Sequence, residues 1–219
     1  MSQSQKQNLE RAVKIAGRVL GETGRLQAFM EKKAALELAR TKIRNCLGCD
    51  LVTTCRAPVP GRGPEDAPIC VVAEAPGAEE DRYGLPLIGA SGMIITQAFL
   101  EAGFNPQNAY FTNVVHCRPP ENRTPTSNEV QTCFPHAQAE LEAIRPKVIL
   151  TLGRTAFAYF VPDEPSLGKA RGRIYETPWG PLIPTWHPSN SLRRDTQKKR
   201  EIFEGIVEDI KRALKLLEE

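Results

Sequence analysis

Ile69-Cys70-Val71-Val72-Ala73 is a run of five apolar residues closed on one side by Pro68 and on the other by Pro76-Gly77. A run this short, rich in β-branched residues and without polar alternation, suits a strand buried on both faces of a parallel sheet. Downstream, Tyr110–Val115, Val148–Leu152 and Leu182–Trp186 repeat the pattern. Between them the spacing predicts helices over Ser91–Ala102, Thr126–Ile144 and Arg154–Phe160. The second of these opens with the capping box Thr126-x-x-Glu129 and stops before Pro146. After the last strand, Lys198–Leu217 places Ile202, Phe203, Ile206, Ile210, Leu214 and Leu217 on one helical face. Strands alternating with helices imply the α/β class. The expected architecture is a three-layer α/β/α domain over residues 43–219, around a central, mainly parallel four-stranded sheet.

Upstream of the first strand lie a proline-rich loop, Asn45 to Pro68, and a helical stretch over residues 5–44 that is rich in Ala, Leu, Glu, Lys and Arg and has no proline. Gly21 and Gly24 interrupt that stretch and predict two helices around a short turn. Residues 1–42 thus read as a helical extension.

Composition excludes several classes. With 41% hydrophobic and 25% charged residues the chain has the make-up of a folded globular protein, not of a disordered one. No apolar run approaches the roughly 18–20 residues of a membrane span, so no membrane partner is expected. Met1–Lys14 lacks the apolar core of a signal peptide, from which a cytoplasmic location is expected. The net charge of +3 is too small for a surface that binds a polyanion everywhere. Residues 1–44, however, hold ten Lys and Arg against four Glu. That extension is either a helical pair packed on the domain with a solvated outer face, or a basic arm that contacts DNA or a protein partner.

In parallel sheets ligands sit beyond the carboxyl ends of the strands. There this chain has Glu74-Ala75-Pro76-Gly77, His116-Cys117-Arg118-Pro119-Pro120, Gly153-Arg154 and His187-Pro188-Ser189. Six cysteines without a secretory signal argue for metal ligands or structural thiols rather than a disulfide framework. Cys46-x-x-Cys49 is one half of a metal clamp; Cys117 follows a strand and Cys133 lies in the next helix. Four thiolates from these places suit a tetrahedral zinc site or a cubane iron–sulfur cluster, against the plainer reading of a free cysteine pair plus buried thiols. Cys70 reads as a core residue, and Cys55 as the less favoured competitor for a ligand position.

The motifs resemble those of the family 4 uracil-DNA glycosylases. Glu74-Ala75-Pro76-Gly77-Ala78-Glu79-Glu80-Asp81 with Gly84-Leu85-Pro86-Leu87-Ile88-Gly89 is similar to the family's first motif. Thr112-Asn113-Val114-Val115-x-Cys117-Arg118-Pro119-Pro120-x-Asn122-Arg123 is similar to the middle one. Pro184-Thr185-Trp186-His187-Pro188-Ser189 with Leu192-Arg193 is similar to the last. The likeness spans about residues 43 to 215 and leaves residues 1–42 outside it.

The resemblance implies a nucleoid-associated repair enzyme that flips uracil out of single- or double-stranded DNA and hydrolyses its glycosidic bond, leaving an abasic site; a monomer is expected. It implies a four-iron–four-sulfur cluster on Cys46, Cys49, Cys117 and Cys133, with zinc as the alternative. It places uracil against Ala75, Gly77, Leu87 and Asn113, whose amide can pair with the N3–H and O4 edge of the base. His187 is implied as the donor to uracil O2, and Glu74 as the carboxylate that orients water or stabilises the sugar cation. Arg118, Arg123, Ser189, Leu192 and Arg193 are implied at the DNA, Leu192 as the wedge that fills the vacated stack. Two departures stand out: Leu87 where the family usually has phenylalanine, and Ser191 where it usually has leucine. Losing the ring at position 87 is expected to weaken uracil binding or widen the range of bases. Glu79, Glu80 and Asp81 read as a solvated acidic turn, and His116 and His136 as surface or helix residues. The competing function is a glycosylase-like module that binds DNA or a partner with weak or altered excision. Zinc-dependent hydrolysis is disfavoured, since four cysteines leave no open coordination position.

Overall fold

The computed structural model describes residues 3–164, 166–192 and 195–218, with side chains from residue 21 onward except that of Leu192. Arg193 and the Leu192 side chain, both expected at the DNA, lie outside the described residues. In chain order the elements are α1 (Gln3–Arg44), β1 (Ile69–Ala73), α2 (Ala78–Tyr83), α3 (Ala90–Glu101), β2 (Ala109–Asn113) and α4 (Ser127–Ile144). There follow β3 (Val148–Leu152), α5 (Gly153–Phe160), α6 (Leu167–Ala170), β4 (Tyr175–Thr177), β5 (Gly180–Thr185), α7 (Ser189–Leu192) and α8 (Thr196–Glu218).

The described strands form one sheet in the order β2-β1-β3-β5-β4. The first four run parallel, with Ile69 opposite both Ala109 and Val148 and Leu150 opposite Ile183. All five residues of β1, β2 and β3 are buried, as continuous apolar runs require in a sheet covered on both faces. Period-two alternation divides the core. Cys70, Val72, Tyr110 and Ile149 pack toward α4 and α5, with Leu36 of α1. Ile69, Val71, Phe111 and Leu150 pack toward α3 and α8, against Ile95, Phe99, Ile206 and Ile210. The result is the three-layer α/β/α arrangement with a mostly parallel sheet.

The fold differs from the sequence expectation in two places. A fifth strand, β4, pairs antiparallel with β5 at the sheet edge. It has three residues, Tyr175 and Thr177 half-buried and Glu176 exposed, so it carries no apolar run to announce it. The predicted break at Gly21 and Gly24 is absent, and α1 is one continuous helix. Each glycine costs a helix about 1 kcal/mol relative to alanine, but strong helix formers on both sides carry propagation through them. The helix also runs unbroken past residue 42. Leu36, Ala39 and Ile43 are buried, Lys32 donates to the Ile144 carbonyl at 2.9 Å, and Arg40 donates to the carbonyls of Gly61 and Gly63. Its last turns are therefore part of the domain core.

A buried carboxylate ties the proline-rich loop to the sheet. Glu140 of α4 has no exposure and accepts from the Gly61 N–H at 2.7 Å, from the Tyr110 hydroxyl at 2.9 Å, and from the Thr112 hydroxyl. With Thr112 anchored toward α4, the next residue of β2, Asn113, emerges at the strand's carboxyl end.

Candidate active site and cysteine recess

A cleft opens across the carboxyl ends of β1, β2, β3 and β5. It is lined among others by Glu74, Ala75, Gly77, Leu87, Asn113, Arg123, His187 and Ser189. Eight of the residues expected to touch base or DNA thus converge from segments more than 100 positions apart. Main-chain bonds from Val114 to the Ala73 carbonyl and from Val115 to the Glu74 carbonyl hold the first motif against the end of β2.

Asn113 is 1% exposed, and its amide nitrogen is buried without a hydrogen-bond partner. An unsatisfied buried donor costs about 1–3 kcal/mol. Its place in the cleft lining makes it a donor set aside for a group that enters.

His187 follows β5. Its Nδ1 accepts the Ser189 main-chain N–H at 3.2 Å and lies 2.7 Å from the Ser189 hydroxyl oxygen. Burial lowers its pKa below the usual histidine value, which favours the neutral ring. With Nδ1 accepting, the proton of that neutral ring sits on Nε2. Behind it, Gly153 has φ +84°, and a Cβ there would stand 2.9 Å from the His187 Cβ. Glycine is therefore required on both conformational and packing grounds.

Leu87 is 6% exposed and has φ +52°, a left-handed conformation that costs a non-glycine residue on the order of 1–2 kcal/mol. Three groups hold it there. Arg62 donates to the carbonyls of Pro86 (2.8 Å) and Leu87 (3.1 Å). Gly92 lets the Leu87 carbonyl approach so closely that a Cβ would be 2.0 Å from its oxygen. Glu80 accepts from the N–H groups of Gly77, Ile88 and Gly89 at 3.1, 3.0 and 2.8 Å. The acidic turn expected to be solvated is therefore only partly so. Glu80 is buried and joins the two halves of the first motif, and Asp81 accepts the Arg56 N–H at 2.8 Å.

The two arginines of the middle motif are engaged within the protein. Arg118 donates to the Asn122 side chain at 2.7 Å and does not line the cleft. Arg123 does line it, but its guanidinium forks onto Glu129 at 2.6 and 2.8 Å. That pairing holds the Glu129 carboxyl down at about 2, so any phosphate would have to compete with it.

Cys46, Cys49, Cys117 and Cys133 line one recess on the α4 side of the sheet. Cys46 follows α1, Cys49 precedes a short turn, Cys117 follows β2 and Cys133 lies in α4. Cys55 is not among the lining residues, and Cys70 is a fully buried core residue, as expected. No three His, Cys, Asp or Glu among the described residues are grouped for a single metal ion; the four thiols share the wider recess instead. Two imidazoles line the recess with them: His136 from helix α4, a helix residue as expected, and His116, whose burial departs from the expected surface or helix position. His136 Nε2 is 3.1 Å from the Cys46 sulfur. His116 is 1% exposed, donates through Nδ1 to the Val59 carbonyl, and presents its main-chain N–H to the Cys133 sulfur at 3.2 Å. Four thiols in one recess, with the main-chain N–H groups of His116 and Gly48 directed at the sulfurs of Cys133 and Cys46, fit a thiolate-ligated centre.

Residues 60–211 match the family model described as the uracil DNA glycosylase superfamily. The chain belongs to that superfamily. Over 184 residues it is 38% identical to the type-4 uracil-DNA glycosylase of Thermotoga maritima, covering 83% of this chain and 94% of that one. The type-4 enzyme of Archaeoglobus fulgidus is 41% identical over 177 residues, 77% of this chain and 88% of its own. That of Saccharolobus solfataricus is 34% identical over 190 residues, with 82% and 86% covered. In this superfamily member, sequence reasoning missed Glu80, Arg62 and Gly92 as groups that shape the cleft. For Glu80 a signal existed, because it stands three residues after Gly77 at the opening of α2, where a carboxylate caps the helix. For Arg62 there was none, since its partners lie 24 and 25 residues away.

Proposed function

We propose that the chain removes uracil from DNA by hydrolysing its N-glycosidic bond in this cleft. The observation that carries the reading is the buried, unpartnered amide nitrogen of Asn113 in the same cleft as a neutral His187 whose proton is held on Nε2. Uracil offers N3–H and O4 to the Asn113 carbonyl and amide; cytosine offers the reverse pattern and leaves both unpaired, at about 1–3 kcal/mol for each unsatisfied group. As the bond between the sugar C1′ and base N1 breaks, its electron pair departs with uracil. His187 Nε2–H donates to O2, where the negative charge gathers, so its hydrogen bond strengthens in the transition state. Glu74, half-buried in the same cleft, faces the developing positive charge on the sugar and orients the water whose oxygen bonds to C1′. The water proton leaves and the uracil anion is protonated, which balances the hydrolysis. Ser189 and Arg123 lie on the path of the DNA backbone.

We also infer that Cys46, Cys49, Cys117 and Cys133 hold a four-iron–four-sulfur cluster. Bound there, it would tie the end of α1 to the end of β2 and to α4; no step of the reaction runs through it.

A release assay on oligonucleotides carrying one uracil, single- and double-stranded, tests the reading. Free uracil and an alkali-labile abasic site are expected. Tight binding without release would instead identify a glycosylase-like binding module.

A further inference from the structure

A base drawn out of the stack needs a flat apolar or aromatic face to replace its former neighbours. Leu87 supplies an alkyl group and no ring. Among the described residues lining the cleft, Trp186 is the one Phe, Tyr or Trp, and it is half-buried next to His187. Its indole is backed by a cation: the Arg171 guanidinium lies over the ring, 4.9 Å from the centroid. Arg171 is itself locked, with Nε on Asp209 and Nη2 on the Gly205 carbonyl, both at 2.7 Å. Asp209 is fully buried, and a Cβ on Gly205 would stand 2.7 Å from that same Nη2. A helix in the layer behind the sheet thus fixes a guanidinium, and the guanidinium fixes an indole at the cleft wall.

We propose that Trp186 is the ring on which the flipped uracil stacks, doing at this position what an aromatic residue at 87 would do, and that Arg171, held by Asp209, is the residue that positions it. This rests on the glycosylase reading above. A stacked ring accepts the face of any base, so discrimination is left to the edge contacts of Asn113.

The test combines rates with fluorescence. In release from a uracil-containing single strand, Trp186→Leu should lower kcat/KM by about tenfold or more, and Trp186→Phe, which keeps a ring, should lower it less than Trp186→Leu does. Adding Leu87→Phe to Trp186→Leu should recover most of that activity, which a purely structural tryptophan would not permit. Arg171→Gln should raise KM with kcat kept. The chain has two tryptophans, and Trp179 packs against Phe134 and Phe160 outside the cleft lining. Free uracil should therefore quench the emission of the parental and Trp179→Phe proteins and leave Trp186→Phe unquenched. Parental rates in Trp186→Leu, or quenching that survives in Trp186→Phe, would overturn the proposal. A parental protein that releases no uracil would instead sink the glycosylase reading itself.

Discussion

His187 is held as a neutral ring with its proton on Nε2, because Ser189 occupies its Nδ1 and burial disfavours the cation. Removing that donor in His187→Ala should slow single-turnover excision by roughly 10²–10³, the usual scale for one donor to a developing anion, with duplex affinity little changed. Excision at the parental rate would exclude His187 as the leaving-group donor. The sign of the pH dependence follows from the lowered pKa. The neutral form is already dominant above the ordinary histidine value of about 6.5 and persists some way below it. The rate should therefore stay level as pH falls from 8 through 6.5. A rise tracking an ordinary imidazole titration would mean that the imidazolium is the working form. His187 was legible in the sequence because it stands directly after an apolar strand run, where the fold places ligands, whereas Asn113 lies inside the run Tyr110–Val115 and was marked by the motif around it. The His187 tautomer was not, since it depends on how the chain turns between Pro188 and Ser189.

At the scale of elements, the loop between α2 and α3 is held in place by bonds that no local pattern announces. Glu80 gathers three N–H groups from both ends of the loop, and its charge strengthens each bond. Glu80→Gln keeps the shape but can accept through one oxygen only, so thermal unfolding should show a destabilisation of about 1–3 kcal/mol. KM should rise as Leu87 relaxes from its left-handed conformation; an unchanged KM in a destabilised protein would separate loop stability from base binding. Helix α1 divides differently from its sequence reading. Leu26 and Met30 are exposed, whereas Leu36, Ala39 and Ile43 are buried. Deleting residues 1–30 should leave a stable domain, while Leu36→Ala should cost about 2–5 kcal/mol in chemical denaturation. The same deletion also tests the basic arm. For every phosphate that the removed segment would have neutralised, the salt dependence of duplex binding should flatten by about 0.9. An unchanged slope would mean that this segment touches no phosphate.

In the whole molecule, the cysteine recess joins α1, the loop after it, the end of β2 and α4, so a group bound there would hold together parts of the chain distant in sequence. Cys46→Ser should abolish the yellow-brown colour expected of the iron–sulfur protein and lower its unfolding temperature, while changing the intrinsic excision rate less. A colourless parental protein containing stoichiometric zinc after anaerobic purification would assign the site to zinc. The sequence by itself determined the layered α/β class, the parallel strands, the helix of the C-terminus, the cysteine set and the motif residues of the cleft. The elements are each written in a short stretch, an apolar run between breakers or a 3.6-residue period, and the cysteines and cleft residues in several short motifs, each readable on its own. Tertiary structure alone decided that Glu80 is buried, that Arg123 is already paired, that His116 and His136 line the cysteine recess, and that Trp186 stands in the cleft on Arg171. Those outcomes depend on which distant segments meet. Burial and charge pairing are properties of that meeting, and neighbouring residues along the chain carry no record of it.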